Sequence, residues 1–247
     1  MSKARELANL RGTPTDHNVL LHSLAGDALT SGTDNIAIGQ LAFSASTDGA
    51  DNIAIGRSAL AVSGNDADYN IAIGTTAMAT GDVSGNDNIG IGSAALIAMT
   101  SGSVNIGIGL YAGDALLTGT NNIAIGQLAF SASTDGVDNI AIGRSALAVS
   151  GNDGDLNIAI GQTALGTGDV SGYNNIAIGT SSANVLTTGA CNVIIGHNAF
   201  GAATTGCLNI AIGELAMGAG VTTGIDNVAI GTTAMDALTS GHNNVAM

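Results

Sequence analysis

The segment Asn35-Ile36-Ala37-Ile38-Gly39 decides the fold of this 247-residue chain, because close variants of it recur every 17 or 18 residues. A degenerate copy begins at Asn18, and an incomplete copy begins at Asn244. Seventeen residues are too few for two strands and a crossover helix, but they suffice for one coil that stacks in parallel on the coil before. The repeat therefore predicts an all-β fold, a parallel β-solenoid or β-roll of about 14 coils with a 17–18-residue repeat.

Alternation within each coil predicts which residues share a face. In an extended strand Ile36 and Ile38 point to one side, while Asn35, Ala37 and Gly39 point to the other. We expect the isoleucines to line the core, so that Ile125→Asp buries an unpaired charge and disrupts several coils. Ala42 and Phe43 should return the chain to the core in a second short strand. The core residues predicted on this basis are Ile36, Ile38, Ile53, Ile55, Ile123 and Ile125.

The asparagines that begin the repeats should stack on one another along the solenoid axis. Their side-chain amides are then placed to hydrogen-bond from coil to coil, as amide ladders do in cross-β stacks. We assign them a structural role on the outward face, together with the alanines and glycines of the same strands. The predicted structural ladder consists of Asn35, Asn52, Asn70, Asn88, Asn105, Asn122, Asn139, Asn157, Asn175, Asn192, Asn209 and Asn227.

Glycines mark the predicted turns. Gly39 follows the strand, and another glycine recurs three residues before the next ladder asparagine, as Gly49 does before Asn52. Residues 1–16 lie outside the repeat and are predicted to form a cap or attachment segment with one short helix up to Leu10. Residues 17–247 are predicted to form the repetitive β-solenoid.

A nearly identical internal duplication is superimposed on the short repeat. Residues 35–68 recur at 122–155, and only Ala50, replaced by Val137, and Ala67, replaced by Gly154, differ between the two copies. The offset is 87 residues, which corresponds to five coils. Such lengthening is typical of a solenoid, because each coil contacts only its neighbours.

The amino-acid composition limits the classes of partner that the chain is expected to bind. The net charge is −14 with only five Lys and Arg residues, so nucleic acid is not an expected partner. No apolar stretch reaches the ~20 residues of a membrane span. We therefore expect no membrane-spanning segment. Aromatic residues make up 2% of the chain, which favours a thin core of small and aliphatic side chains.

Candidate chemical groups are scattered. His17, His22, His197 and His242 have no nucleophile or orienting carboxylate at a recognisable spacing, so we expect no catalytic site, enzyme activity or cofactor. Cys191 and Cys207 are interpreted as two inert thiols, with a bridge between coils as the alternative. Asp-rich turns suggest weak calcium candidates, although polar turns explain them better; these candidates are Asp66, Asp68, Asp153 and Asp155.

The repeat also carries a family resemblance. The Asn-Ile-Ala-Ile-Gly coils followed by Ala and an apolar residue, as in Gly126, Ala129 and Phe130, resemble repeats of tail-fibre proteins from marine and cyanobacterial phages. They are also similar to the Val-Ala-Ile-Gly repeats of trimeric autotransporter adhesin heads, which form β-rolls around a threefold axis. The opening residues 2–10 resemble the start of some such phage proteins.

The resemblance implies a structural fibre module of a virion tail fibre that attaches to a host surface. The expected partners are further copies of the chain, with a trimer favoured over a dimer, other fibre or virion proteins, and a host glycan or protein. We expect the copies to meet along the alanine face. One alternative is an ice-binding or other flat-face surface-binding solenoid; another is a fragment of a bacterial cell-surface adhesin, extracellular or on the cell surface.

Overall fold

The structure is a computed structural model. It describes the backbone of Leu10–Arg11 and residues 16–62, 67–149, 154–220 and 222–247. The chain forms two compact units, Met1–Thr120 and Asn121–Met247. Each unit is a parallel β-solenoid with one three-residue strand in nearly every coil, so the predicted fold class is confirmed.

The described residues of the first unit form seven strands. Strand β2 pairs in parallel with β3, and the parallel pairing continues in order to β7. Equivalent residues of successive repeats lie side by side, as Ile36 does beside Ile53. The strands are β1 (Leu10–Arg11), β2 (Val19–Leu21), β3 (Ile36–Ile38), β4 (Ile53–Ile55), β5 (Ile71–Ile73), β6 (Ile89–Ile91) and β7 (Ile106–Ile108).

In the second unit the residues with described backbone form eight strands, and each pairs in parallel with the next. The register is the same as in the first unit, so that each coil repeats the position of its neighbours. The strands are β8 (Ile123–Ile125), β9 (Ile140–Ile142), β10 (Ile158–Ile160), β11 (Ile176–Ile178), β12 (Val193–Ile195), β13 (Ile210–Ile212), β14 (Val228–Ile230) and β15 (Val245–Ala246).

The rest of each coil consists of turns. We number each coil from its ladder asparagine as position 1, so that Ile36, Ala37, Ile38 and Gly39 occupy positions 2 to 5. The predicted second strand around Ala42 and Phe43 is wrong. Leu41 and Phe43 have φ angles of 58° and 50°, and this left-handed backbone cannot continue a strand. The turn still carries Ala42 and Phe43 into the core, where both are fully buried.

The two faces of the strand are the reverse of the predicted ones. Ala37 at position 3 is fully buried with the ladder asparagine, whereas Ile36 and Ile38 point outward and remain half-buried. The same pattern holds in nearly every strand. The core assignment of Ile36, Ile38, Ile53, Ile55, Ile123 and Ile125 is therefore wrong, and so is the outward placement of the alanines and asparagines.

The narrow interior explains this reversal. Side chains at position 9 cross the coil and reach position 3 of the following coil. A Cβ added to Gly90, at position 3, would lie 3.0 Å from Cγ of Met78, at position 9 of the coil before. At that distance a methyl group fits only if the side chain opposite it shifts slightly. An isoleucine at position 3 would overpack the core. Small residues at position 3 therefore face inward.

The interior conserves volume from coil to coil. Where position 9 is Phe43, position 12 is the small residue Ser46; where position 9 is Gly113, position 12 is Leu116. Ile194 is buried at position 3, and it follows a coil whose position 9 is only Ala183. Such exchanges keep the core close-packed although the individual side chains differ.

The predicted turn glycines are confirmed. Gly39 has a φ of 128°, which L side chains rarely adopt, and an added Cβ would lie 2.7 Å from the carbonyl oxygen of Gly56 in the next coil. A side chain at position 5 would therefore strain the backbone and push neighbouring coils apart. These glycines permit the close stacking that the parallel ladder requires.

The N-terminal segment is described only in part. Leu10–Arg11 form β1, which pairs antiparallel with β2 through Leu10 and Leu21. The end of the predicted helix at Leu10 is thus a strand. The remainder of that helix lies outside the described residues.

Candidate interaction surface

Each unit has an apolar stripe on its outside, formed by the side chains at positions 2 and 4. We call this stripe the outer face. In the first unit it consists of Val19, Leu21, Ile36, Ile38, Ile53, Ile55, Ile71, Ile73, Ile89, Ile91, Ile106 and Ile108. In the second it consists of Ile123, Ile125, Ile140, Ile142, Ile158, Ile160, Ile176, Ile178, Val193, Ile195, Ile210, Ile212, Val228, Ile230 and Val245.

The outer face is continuous within each unit. With strands ~4.8 Å apart, the stripe is about 24 Å long in the first unit and about 34 Å in the second, and its two rows of side chains lie about 7 Å apart. Its side chains are half-buried or exposed, and Ile230 exposes 41% of its surface. A contiguous aliphatic stripe of this length differs from scattered surface residues and is typical of an interaction site.

Two polar rims flank the outer face. The residue before the ladder asparagine, which we call position 0, precedes the face and is exposed in nearly every coil. Position 6 follows the face and is also exposed in nearly every coil. The position 0 rim contains His17, Asp34, Asp51, Tyr69, Asp87 and Val104 in the first unit and Asn121, Asp138, Leu156, Asn174, Cys191, Leu208, Asp226 and Asn243 in the second.

The position 6 rim differs in charge from the position 0 rim. Arg57 and Arg144 lie on it, and they are the only Lys or Arg residues after residue 11. The rim contains Ser23, Gln40, Arg57, Thr75, Ser93 and Leu110 in the first unit and Gln127, Arg144, Gln162, Thr180, His197, Glu214 and Thr232 in the second. The outer face therefore has an acidic border on one side and a polar border with two arginines on the other.

The predicted asparagine ladder is present, but it lies inside each solenoid. Oδ1 of Asn192 accepts the backbone N–H of Asn209 at 3.0 Å, and its Nδ2 donates to the carbonyl oxygen of Gly206 at 2.8 Å. Nδ2 also lies 2.9 Å from Oδ1 of Asn175. The buried amide is thus fully hydrogen-bonded across three coils, which a purely apolar side chain could not achieve. Its role is structural.

The predicted calcium residues that the structure describes support neighbouring backbone instead. Oδ1 of Asp68 accepts the N–H of Ala50 at 2.7 Å, and Oδ1 of Asp155 accepts the N–H of Val137 at the same distance. Both bonds link one coil to the coil before. Asp66 and Asp153 lie outside the described residues. Among the residues with described coordinates, no group of three or more His, Cys, Asp or Glu side chains could hold a metal ion.

Both cysteines are free. Sγ of Cys207 accepts the N–H of Ala190 at 3.3 Å, so the thiol occupies the place that Asp68 and Asp155 hold in other coils. Each thiol is half-buried. The alternative of a bridge between the two coils is not realised.

The four histidines lie in different parts of the two units. His17 pairs with Asp34 at 3.2 Å and His197 with Glu214 at 3.4 Å, in both cases with exposed side chains. The His242 ring nitrogen accepts the N–H of Ile225 at 3.1 Å. These contacts join neighbouring coils and assemble no nucleophile beside a base.

Asp114 is an unusual carboxylate that sequence reasoning missed. It lies at position 10, after the small residue Gly113, and its Oδ1 is buried with no hydrogen-bond partner among the described residues. Burial raises the pKa of this carboxyl above its usual range, and a backbone hydrogen bond opposes that effect. Asn184 occupies the equivalent position of another coil, and its buried Oδ1 likewise has no hydrogen-bond partner in the part of the chain that the structure describes. The shared small residue at position 9 is the signal in the sequence.

Threonine hydroxyls line the turns rather than the outer face. Thr100 Oγ1 donates to the carbonyl oxygen of Leu117 at 2.9 Å, and Thr187 Oγ1 donates to that of Thr204 at the same distance. These hydroxyls therefore join one coil to the next. Over the described part of the chain, no helix has the length and apolar character needed to cross a membrane.

Comparison with known proteins adds no relative: no family model, no curated protein and no solved structure matches the chain.

Proposed function

We propose that this chain is a structural and adhesive module of a phage tail fibre that self-associates through its outer face and attaches to a host surface. The observation that carries the proposal is the outer face itself. Nearly every coil places a small residue inside at position 3 and two aliphatic side chains outside, and the exceptions among the described strands are the inward Leu20 and Ile194. Covering this stripe removes apolar surface from water at roughly 25 cal/mol for each Å².

The partner that fits the outer face best is a second copy of the chain. Aliphatic pairs recur along the face at the spacing of the coils, so a partner that packs along its whole length needs the same period. The chain itself has this period. Copies related by a closed rotation also bury the face on every copy at once. A trimer is favoured over a dimer because of the resemblance to threefold β-rolls.

The attachment role rests on the resemblance of the repeat and on the exposed turns. Tyr173 is exposed at 53% and lies outside both rims, and aromatic rings of this kind contact sugars and proteins well. Assembly would multiply each weak contact, because several copies of one site then bind together. A cell-surface adhesin fragment would use the same architecture. The ice-binding alternative gains no support, since the outer face carries no threonine in either unit's described strands.

The solution mass tests self-association. We expect the wild-type chain to give about three times its monomer mass of 24.0 kDa in light scattering coupled to size-exclusion chromatography. Ile125→Asp places a charge on the outer face and should shift the mass toward the monomer, with little change in the far-UV circular dichroism spectrum. Ala132→Asp adds the same charge to an exposed position of the same coil and should leave the mass unchanged.

Two results would contradict the proposal. A wild-type monomer at every concentration would leave the outer face uncovered and would make thermal hysteresis the next measurement. An Ile125→Asp variant that keeps the wild-type mass would show that the copies meet elsewhere. The attachment role is tested by binding to an immobilised glycan panel, on which the assembled chain should bind more tightly than the monomeric Ile125→Asp variant.

A further inference from the structure

We propose that the copies pack in parallel with equal coils at equal heights, so that the position 0 rim of one copy contacts the position 6 rim of the next. This inference rests on the proposed self-association. It adds the orientation and register of the copies, and it assigns Asp51–Arg57 and Asp138–Arg144 as ion pairs between them.

The first argument comes from unpaired charge. Arg57 and Arg144 are exposed, and neither takes part in an ion pair within the described residues, where the only two ion pairs are those of His17 and His197. The chain has a net charge of −14 and no other Lys or Arg after residue 11. Both arginines nevertheless lie at position 6, next to the outer face.

The second argument is the match between the two rims of the same coil. The coil of Arg57 has Asp51 at position 0, and the coil of Arg144 has Asp138 there. These two coils are copies of one another in the 87-residue duplication, so together they count as one observation.

Two other coils match independently of the duplication. The coil that carries Leu110 at position 6 has Val104 at position 0, so an apolar side chain faces an apolar one. The coil that carries Glu214 at position 6 has Leu208 at position 0, which avoids a pair of carboxylates. In each case the two rims of one coil suit direct contact with each other.

The rims of one copy cannot make this contact themselves. Six residues separate position 0 from position 6, which corresponds to about 20 Å of extended chain. Rotation about an axis parallel to the coil axis brings opposite rims of two copies together at the same height. An antiparallel arrangement instead brings equal rims together, so that the aspartates of position 0 would face one another without a cation, and like charges at contact repel.

Charge reversal tests the assignment. Arg57→Asp/Arg144→Asp and Asp51→Arg/Asp138→Arg each place like charges across the interface. We expect each double variant to raise the dissociation constant of the assembly at least about tenfold in sedimentation equilibrium, since each subunit interface loses two pairs and gains two repulsions. The fourfold variant restores opposite charges and should return to within about threefold of the wild-type chain.

A matched control separates this effect from net charge. Asp48→Arg/Asp135→Arg changes the charge by the same amount as Asp51→Arg/Asp138→Arg, at exposed positions away from the outer face. Arg57→Gln/Arg144→Gln removes the cations without adding carboxylates and should give an intermediate dissociation constant. Thermal melting followed by circular dichroism verifies that each variant folds.

The experiment distinguishes failure of the proposed self-association from failure of the parallel, in-register arrangement. A wild-type monomer overturns self-association and this inference together. An assembled wild-type chain whose fourfold variant stays as weak as the two double variants overturns the parallel, in-register arrangement alone. Double variants that assemble as tightly as the wild-type chain show that the rims do not meet, and they also overturn it.

Discussion

The inward and outward sides of the same three-residue strand obey different rules. Ala141 at position 3 is fully buried, and its neighbour Ile142 at position 4 faces outward and is half-buried. The larger and more apolar side chain is thus the one left in contact with water. This difference shows that the size of the interior, rather than hydrophobicity alone, decides which side of the strand forms the core.

A carboxylate introduced on each side of the strand should give the largest difference in stability between the two faces. We expect Ala141→Asp to unfold the coils around it, because a charge without a partner in a fully packed interior costs more than about 3 kcal/mol. Ile142→Asp should instead keep the melting temperature of the monomer nearly unchanged and weaken only self-association. Thermal melting by circular dichroism, with mass measured in parallel, checks both variants; equal destabilisation by the two would contradict the assignment of the faces.

The asparagine ladder provides a second test of the inner side of the strand. Asn192→Ala removes the acceptor of the Asn209 N–H and the donor to the Gly206 carbonyl, both of them buried. We expect the free energy of unfolding to fall by about 3 kcal/mol, because two backbone groups lose their partners. Urea denaturation measures this change. Thr188→Ala, at an exposed turn position of the preceding coil away from the outer face and its rims, should cost less than about 0.5 kcal/mol.

The Asp114 carboxyl is only partly buried, between the packed interior and the solvent. Its ionisation should have the smallest effect on stability of the changes considered. Because burial raises its pKa, the folded chain loses stability as the pH rises from the ordinary pKa of aspartate through the raised value. Asp114→Asn, which copies Asn184, removes the ionisation and should be more stable than the wild-type chain above that window. Below it the two should be nearly equal.

Melting temperatures of both chains between about pH 3 and about pH 7 check this prediction, since the other carboxylates titrate alike in both and cancel in the difference. A difference in melting temperature that stays constant over this range would show that the Asp114 carboxyl titrates alike in the folded and unfolded chains.

Much of the fold could be predicted from the repeat. The spacing of the Asn-Ile-Ala-Ile-Gly copies predicts parallel stacking, the ladder and the glycine turns, because each depends on equivalent residues lying side by side. Alternation separates two faces but does not say which is inside. That choice depends on side chains such as Met78, which arrive from the opposite wall and which no strand pattern contains.

One signal in the sequence could have identified the inner side. Position 3 changes to glycine at Gly90 and Gly107, and an added Cβ there would press on Met78 and Leu96. Positions 2 and 4 stay large in every coil that has both. A position that is alanine or glycine in nearly every coil, beside two positions that stay large, is typical of a narrow packed interior.

The partial burial of Asp114 depends on the sizes of neighbouring side chains in its own coil, which the repeat pattern does not show. The small residue Gly113 leaves space at position 9, Leu116 fills it from position 12, and the intervening carboxyl is drawn partly inside. Sequence alone shows an aspartate in a turn, which is usually solvated. Its burial depends on how one particular coil redistributes volume.

The bonds that join each coil to the next also determine how a unit responds to tension. Strand hydrogen bonds and the asparagine ladder run from coil to coil, so a pull along the stacking direction loads one junction after another instead of shearing many at once. A released coil of 17 residues extends from about 5 Å to nearly 60 Å. A fibre built from such coils would yield in equal steps and lengthen greatly before breaking, and stretching single molecules should show increments of one coil each.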